Sequence, residues 1–208
     1  KAMGKVKAGL MTWSRYVPYD ASRIGFDVNF EWWKRIFMLD RCLVVTRHHL
    51  ASGKDLVMIN LHNSAFDDEN KLKPVELNAL KKLMMEEYAK GNFVVAGGDW
   101  NQNPPAFAPG TIHKEWNPTS LPHPIETSLF PADWKWAFDP ITPSNRFNDK
   151  AFEKGKNKTT IIDFFLVSPN VKIQSVETIN LDFKYSDHQP VLMTFDIAPE
   201  DSLVVEPE

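Results

Sequence analysis

Three apolar runs in this chain end in, or carry, a carboxylate. They are Gly97-Gly98-Asp99-Trp100-Asn101, Thr160-Ile161-Ile162-Asp163-Phe164-Phe165 and Ser186-Asp187-His188-Gln189-Pro190-Val191. A fourth run, Ile59-Asn60-Leu61-His62, ends in a histidine. Carboxylates and imidazoles in these settings fit metal-assisted cleavage of a phosphoester. A phosphodiester is a stable anion, so cleavage calls for a cation on its non-bridging oxygens, a positioned water and help to the leaving oxygen. Magnesium (or manganese) is the expected cation, held by carboxylate oxygens and water. Asp99 and Asp187 offer carboxylates at strand ends, and Asn101 can orient a water or a phosphate oxygen through its amide. His62 and His188 can donate to phosphate oxygens or move a proton. Asp163 can fix the tautomer of one of these rings.

Taken singly, some of these segments have plain structural explanations. Gly-Asp-x-Asn makes a turn, and Ser-Asp-His reads as a helix cap followed by a surface histidine. Asp163 is harder to set aside, because a carboxylate in so apolar a run is unfavourable to bury without a partner. The pair His48-His49 reads as a surface feature at a strand end, since no carboxylate or Cys accompanies it at ligand spacing. His113 and His123 lie in a Pro-rich stretch without an evident partner.

The elements that must position these groups follow from pattern. Residues 8–14 read as a strand entering a loop. The stretch from Arg15 to Arg41, with Trp32, Trp33 and Phe37, reads as a long connection. Arg41–Arg47 and Lys54–Leu61 are β-branched runs joined by Ala51-Ser52-Gly53-Lys54, a hairpin signal. Pro74 opens a helix in which Val75, Ala79, Leu80, Leu83, Met84 and Tyr88 keep helical spacing, and Gly91 stops it. Phe93–Ala96 is then a short buried strand, and the order strand–helix–strand predicts a parallel crossover. That crossover places His62 and Asp99 on one rim of the sheet, where ligand sites in such sheets form. Residues 102–159 read as a long loop with many prolines and with Trp116, Trp134 and Trp136. Such a loop either pins itself to the core by its tryptophans or walls a cleft. Thr160–Val167, Lys172–Asn180 and Val191–Phe195 complete the strands.

Bulk composition narrows the class. The 208 residues fit one domain over 1–208. A net charge of -3 gives no global attraction to nucleic acid or anionic membrane. The single Cys42, in an apolar run, reads as a buried thiol and excludes an internal disulfide. No apolar run is long enough for a transmembrane helix. Residues 1–5 are charged without a following apolar region, so they do not read as a signal peptide, and any targeting or anchoring segment is expected upstream of residue 1.

In this order the segments resemble the endonuclease/exonuclease/phosphatase superfamily, the DNase I-like fold. The pieces that carry the resemblance are Ala8–Arg15, Ile59-Asn60-Leu61-His62-Asn63-Ser64, Gly98-Asp99-Trp100-Asn101, Ile162-Asp163-Phe164-Phe165 and Ser186–Val191. The resemblance implies an α/β (α+β) two-sheet β-sandwich flanked by helices. It implies a metal-dependent phosphoesterase or phosphodiesterase. His62 and His188 would contact the scissile phosphate, with Asp163 orienting His188. Asp99 would position the attacking water, assisted by Asn101, and Asp187 would share the metal site with Asp99 and Asn101. Asn63 and Arg15, inside the matching motifs, would bind substrate. The family's fold begins with strands carrying an Asn and then a metal-ligating Glu. This chain opens after them, and Glu31 does not fit that motif, so an N-terminally truncated domain with weak magnesium binding is expected. The alternative is a catalytically incomplete remnant with a binding role. The substrate could be nucleic acid, a phospholipid or a small phosphate, and Trp134-Lys135-Trp136 is the one candidate for a lipid-facing loop.

Overall fold

The computed structural model describes residues 8–26, 41–65, 72–197 and 203. Trp32, Trp33, Phe37 and Glu31, within the expected long connection, lie outside the described residues.

The main sheet has six strands. In chain order these are β1 (Asp20–Gly25), β2 (Cys42–His49), β3 (Asp55–His62), β4 (Phe93–Asp99), β6 (Lys135–Ala137) and β9 (Asp163–Val167), arranged β1-β2-β3-β4-β9-β6. Short strands β5 (Asn117–Pro118), β7 (Asn145–Arg146) and β8 (Lys158–Thr160) form a second small sheet. A third sheet pairs β10 (Lys172–Thr178) with β11 (Val191–Asp196). The expected hairpin is present: β2 and β3 pair antiparallel, with Gly53 at φ +78 in the turn between them.

Helix α1 (Leu72–Ala89) is the helix expected from Pro74 to Gly91 and the only α-helix among the described residues. It carries Pro74 in its first turn, where a missing N–H leaves nothing unpaired. Leu77, Leu80 and Met84 follow at helical spacing and are buried against the sheet. Gly91, at φ +86, turns the chain out of the helix, and its N–H reaches the Tyr88 carbonyl at 2.8 Å.

The sheet buries both faces. Leu43, Val45, Val57, Ile59, Leu61, Val94 and Leu166 pack with α1 and with aromatics of residues 100–136. Leu56, Phe93, Val95 and Val167 form the opposite face, against Val171, Ile173, Met193 and Phe195 of the β10–β11 side. This is the expected two-layer β-sandwich, with two strands, β10 and β11, as the second layer over this face among the described residues. Met58 and Phe165 on it are accordingly only partly buried.

Four expectations change. Residues 8–14 form no strand; they run exposed, held to β3 by Asn60 Nδ2, which donates to the Met11 carbonyl at 3.1 Å. A strand needs a ladder partner for its backbone, and none pairs with this segment among the described residues. Trp134 and Trp136 do not face out as a lipid-contacting loop. Trp134 is buried, and Lys135–Ala137 adds an edge strand to the main sheet through β9. The tryptophans pin the long segment to the core, as Trp116 also does against Phe183. His48 is buried rather than a surface group, and burial lowers its pKa. Its neighbour His49 is exposed and stacks on Tyr19. Cys42 is half-buried, because it opens β2 at the sheet's rim.

Candidate active site

Strand register builds the site. β3 and β4 run parallel, as the crossover predicted, with His62 opposite Asp99. β4 and β9 run antiparallel, with Asp99 opposite Asp163. His62, Asp99 and Asp163 therefore form one row across three adjacent strands. Because side chains alternate between faces, all three stand on the same face. The row lies at the C-terminal rim of β3 and β4.

Two glycines keep the row close. Gly98, at φ +145, packs so tightly on Leu61 that a Cβ there would overlap the Leu61 carbonyl. Gly97 lies under the ring of Phe165, its cross-strand partner, which fills the space a side chain would take. Trp100 then pins the turn. It is fully buried, stacks on Phe164 with ring centroids 5.0 Å apart, and donates its indole N–H to the Phe164 carbonyl at 2.9 Å. Asn101 follows at φ +48, a left-handed conformation that Asn tolerates.

His188 reaches the row from a different segment. Its Nδ1 lies 2.9 Å from Asp163 Oδ2 and 3.1 Å from Oδ1. Its Nε2 lies 3.9 Å from Asp99 Oδ2, and His62 Nε2 lies 3.3 Å from that same oxygen. Two imidazoles thus approach one carboxylate oxygen at ion-pair distance. The other Asp99 oxygen accepts the Asn101 backbone N–H at 2.8 Å.

The surroundings shift these groups in opposite directions. Burial raises the Asp99 carboxyl to about 6, and the neighbouring Asp163 charge adds to it, against His188 and the Asn101 N–H. Burial, joined by the charges of Arg41 and His188, lowers His62 to about 4. For His188, burial disfavours the cation. The hydrogen bond and charge of Asp163, with Asp99 and Asp187 behind them, outweigh burial and raise the ring to about 9.

The remaining expected residues are placed unequally. Asn63 is buried beside the row; its N–H donates to the Asp99 carbonyl at 2.9 Å, and its side-chain amide nitrogen has no described partner. Asn101 donates its side-chain amide to the Asn63 carbonyl at 2.9 Å, so that amide holds the loop rather than facing open space. Asp187 is half-buried and accepts Asn148 Nδ2 at 3.0 Å. Asp163, not Asp187, groups with Asp99 and His188 as three potential metal ligands whose donor atoms all lie within 4.8 Å of one another. Arg15 is exposed on a segment that leaves Asn60 and reaches Arg47, near the opposite end of β2. The structure gives it no described contact with the row.

Three groups at this site have no motif to announce them. Arg41 precedes β2, and its charge acts on both His62 and Asp99. The hairpin register that pairs Leu43 with Leu61 already puts the start of β2 beside His62, so pairing could have revealed it. Ser144 and Asn145 touch Asp163 and His188, and nothing local distinguishes Pro143-Ser144-Asn145 from an ordinary turn.

No protein-family model and no curated protein sequence matches the chain. Solved structures do match. A D. rerio TDP2 complexed with single-strand DNA product is 13% identical, with a TM-score of 0.55 over 86% of this chain and 68% of that one. An endonuclease/exonuclease/phosphatase from Bacteroides vulgatus is 19% identical, with a TM-score of 0.53 over 88% and 67%. A mannosyl-6-phosphatase from Bacteroides thetaiotaomicron is 14% identical, with a TM-score of 0.51 over 88% and 67%. The fold is the DNase I-like fold of the endonuclease/exonuclease/phosphatase proteins. The resemblance read from the five motifs is the one the fold carries. The chain spans about two thirds of the length of these DNase I-like neighbours.

Proposed function

We propose that this chain carries the hydrolytic centre of a divalent-metal-dependent phosphoesterase. One observation carries the reading: Asp99 Oδ2 is approached by both His62 and His188, while Asp163 backs His188. Neighbours of the same fold bear names of phosphoester chemistry, which supports the class.

In this reading Asp99 receives the proton of the attacking water as oxygen bonds to phosphorus and the bond to the leaving oxygen breaks. A carboxyl raised to about 6 is a stronger base than an ordinary aspartate and is still ionised at neutral pH. His188, held near 9, donates from Nε2 to a phosphoryl oxygen and stabilises charge that builds there. Asp163 holds its Nδ1–H. His62, lowered to about 4, is neutral at neutral pH and contributes a hydrogen bond rather than a charge. Arg41 adds positive charge on the His62 side.

The donor set fits a hard divalent cation: two carboxylates and an imidazole within 4.8 Å suit magnesium or manganese completed by water. Asp99 and Asp163 would hold it, and Asp187 with Asn101 remain candidate ligands through water. Such a cation would supply neutralisation of the non-bridging oxygens.

The test is turnover with magnesium and with manganese on single-stranded DNA, plasmid DNA, RNA, phosphoinositides, sphingomyelin and a sugar phosphate. Metal-dependent release on any of them, abolished in His188→Gln, supports the reading. Absence of turnover on all of them would favour a binding remnant of this fold.

A further inference from the structure

We infer that Ser144 and Asn145 are the positioning residues of the Asp163–His188 pair, one fixing the carboxylate and the other fixing the ring. The two halves of the pair come from separate segments, β9 and the stretch before β11, and nothing in either segment alone fixes their mutual angle. A third segment joins them. Arg146 donates its backbone N–H to the Asp187 carbonyl at 2.9 Å, and Gln189 donates to the Ser144 carbonyl at 2.7 Å. On its other side this segment pairs with β8, Asn145 opposite Thr160.

The side chains complete the clasp. Ser144 is 0% exposed, so no water can stand in for its hydroxyl. That hydroxyl donates to Asp163 Oδ2 at 2.8 Å and accepts the backbone N–H groups of Ile162 and Asp163, each at 3.0 Å. One proton and two acceptor sites are all used, which sets both the carboxylate rotamer and the start of β9. Asn145 donates Nδ2 to the Asp187 carbonyl at 3.1 Å and stands 3.1 Å from His188 Nε2. A carbonyl can only accept, so it fixes which end of the Asn145 amide faces the histidine. The neutral ring is then gripped at both nitrogens, donating Nδ1–H to Asp163 and accepting the Asn145 amide at Nε2; a proton on Nε2 releases that amide and frees the N–H for a phosphoryl oxygen. Consecutive residues of an extended segment point to opposite sides, which is how two neighbours reach two partners.

The positioning role rests on the phosphoesterase reading only where activity is measured, so the experiment uses two readouts. The first is ¹⁵N-resolved NMR of the His188 ring in the metal-free chain; the second is hydrolysis of bis(p-nitrophenyl) phosphate with manganese. In Asn145→Ala the Nε2 resonance should move while the rest of the spectrum stays, and kcat should fall by about tenfold or more with KM within about twofold. Ser144→Ala should disturb the Nδ1 proton, and Ser144→Thr, which keeps the hydroxyl, should restore it. Unchanged His188 resonances in a folded Asn145→Ala protein would overturn the inference, as would a Ser144→Ala protein with the wild-type Nδ1 signal. A wild-type chain that hydrolyses nothing counts against the phosphoesterase reading, and the ring resonances still decide the positioning role.

Discussion

His62 and Asp99 are registered partners on adjacent parallel strands, and their side chains meet at 3.3 Å. The contact is therefore set by backbone pairing and not by flexible loops. A one-residue slip of β3 against β4 would turn His62 to the other face of the sheet.

Asp99→Asn separates stability from chemistry. Ionised Asp99 is disfavoured by burial, since its folded pKa of about 6 lies above the unfolded value. Its charge therefore destabilises the fold above about pH 6, and the amide removes that charge. The variant should be more stable than wild type at pH 8 by on the order of 1 kcal/mol, and turnover should fall by about 10²-fold or more. Denaturant unfolding and initial rates on one preparation check both halves.

Metal-free stability should fall as pH rises from about 6.5 to about 9. The His188 pKa is raised in the fold to about 9, so its contribution is fully present below the unfolded value near 6.5 and lost as pH passes the folded one. Asp99, near 6, and His62, near 4, titrate below this window. The ring is a third exposed, so solvent screening reduces the effect to on the order of 2 kcal/mol. Urea unfolding across the window, with His188→Gln as the flat control, measures it.

Asp163→Asn should lower kcat by about 10²-fold, because an amide cannot stabilise a protonated imidazole and can select the wrong tautomer. The shape is kept, and the Ser144 hydroxyl at 2.8 Å still finds an oxygen to donate to. Because Asp163 is what raises His188, the variant also loses that pH-dependent stabilisation near neutral pH, so melting temperature should fall at pH 7 and move little above about pH 9. A destabilised variant with wild-type turnover per folded molecule would instead make Asp163 a structural carboxylate.

Glu76 should matter although it lies on a helix and touches no site residue directly. It is buried, and its carboxylate accepts the Ser64 hydroxyl at 2.6 Å and the Ser64 N–H at 2.9 Å, two residues beyond His62. Glu76→Ala would strand both donors in the core and lower stability by about 2–3 kcal/mol. Glu76→Gln, keeping one acceptor, should lose less. Thermal melts of the two variants give the comparison.

Magnesium should bind weakly. Asp163 also holds Ser144 and His188, and both Asp99 oxygens already have protein neighbours, so an ion would compete for every carboxylate of the cluster. Calorimetry showing tight, stoichiometric magnesium binding would contradict this. Loss of binding in Asp187→Asn would bring Asp187 back into the first coordination sphere.

Much of the fold was legible because its signals are local. The hairpin announced itself by β-branched runs around Ser52-Gly53, α1 by Pro74 and Gly91, and the crossover by the order of elements. The crossover put His62 and Asp99 on one rim; the place of Asp163 beside them comes from the antiparallel β4–β9 register, which local pattern does not carry. Residues 8–14 carried a strand's composition, but composition does not supply a pairing partner. The three tryptophans of the long segment were equally consistent with a core anchor and a cleft wall, and only packing against Phe130, Phe164 and Phe183 separates these. Ser144 and Asn145 stayed hidden because their meaning comes from residues about 20 and 43 positions away.

The row across β3, β4 and β9 also bears on how the chain reaches its native state. Its members are brought together by closing loops of dozens of residues, and His188 joins from further along still. Non-local pairings of this kind form slowly, because each closure loses chain entropy before any contact compensates for it. Helix α1 and the β2–β3 hairpin can form from neighbours in sequence; the row and its His188 contact cannot. During refolding, the helical signal should therefore recover ahead of the Asp163–His188 hydrogen bond, so a chain that looks folded by its helix can still lack the assembled row.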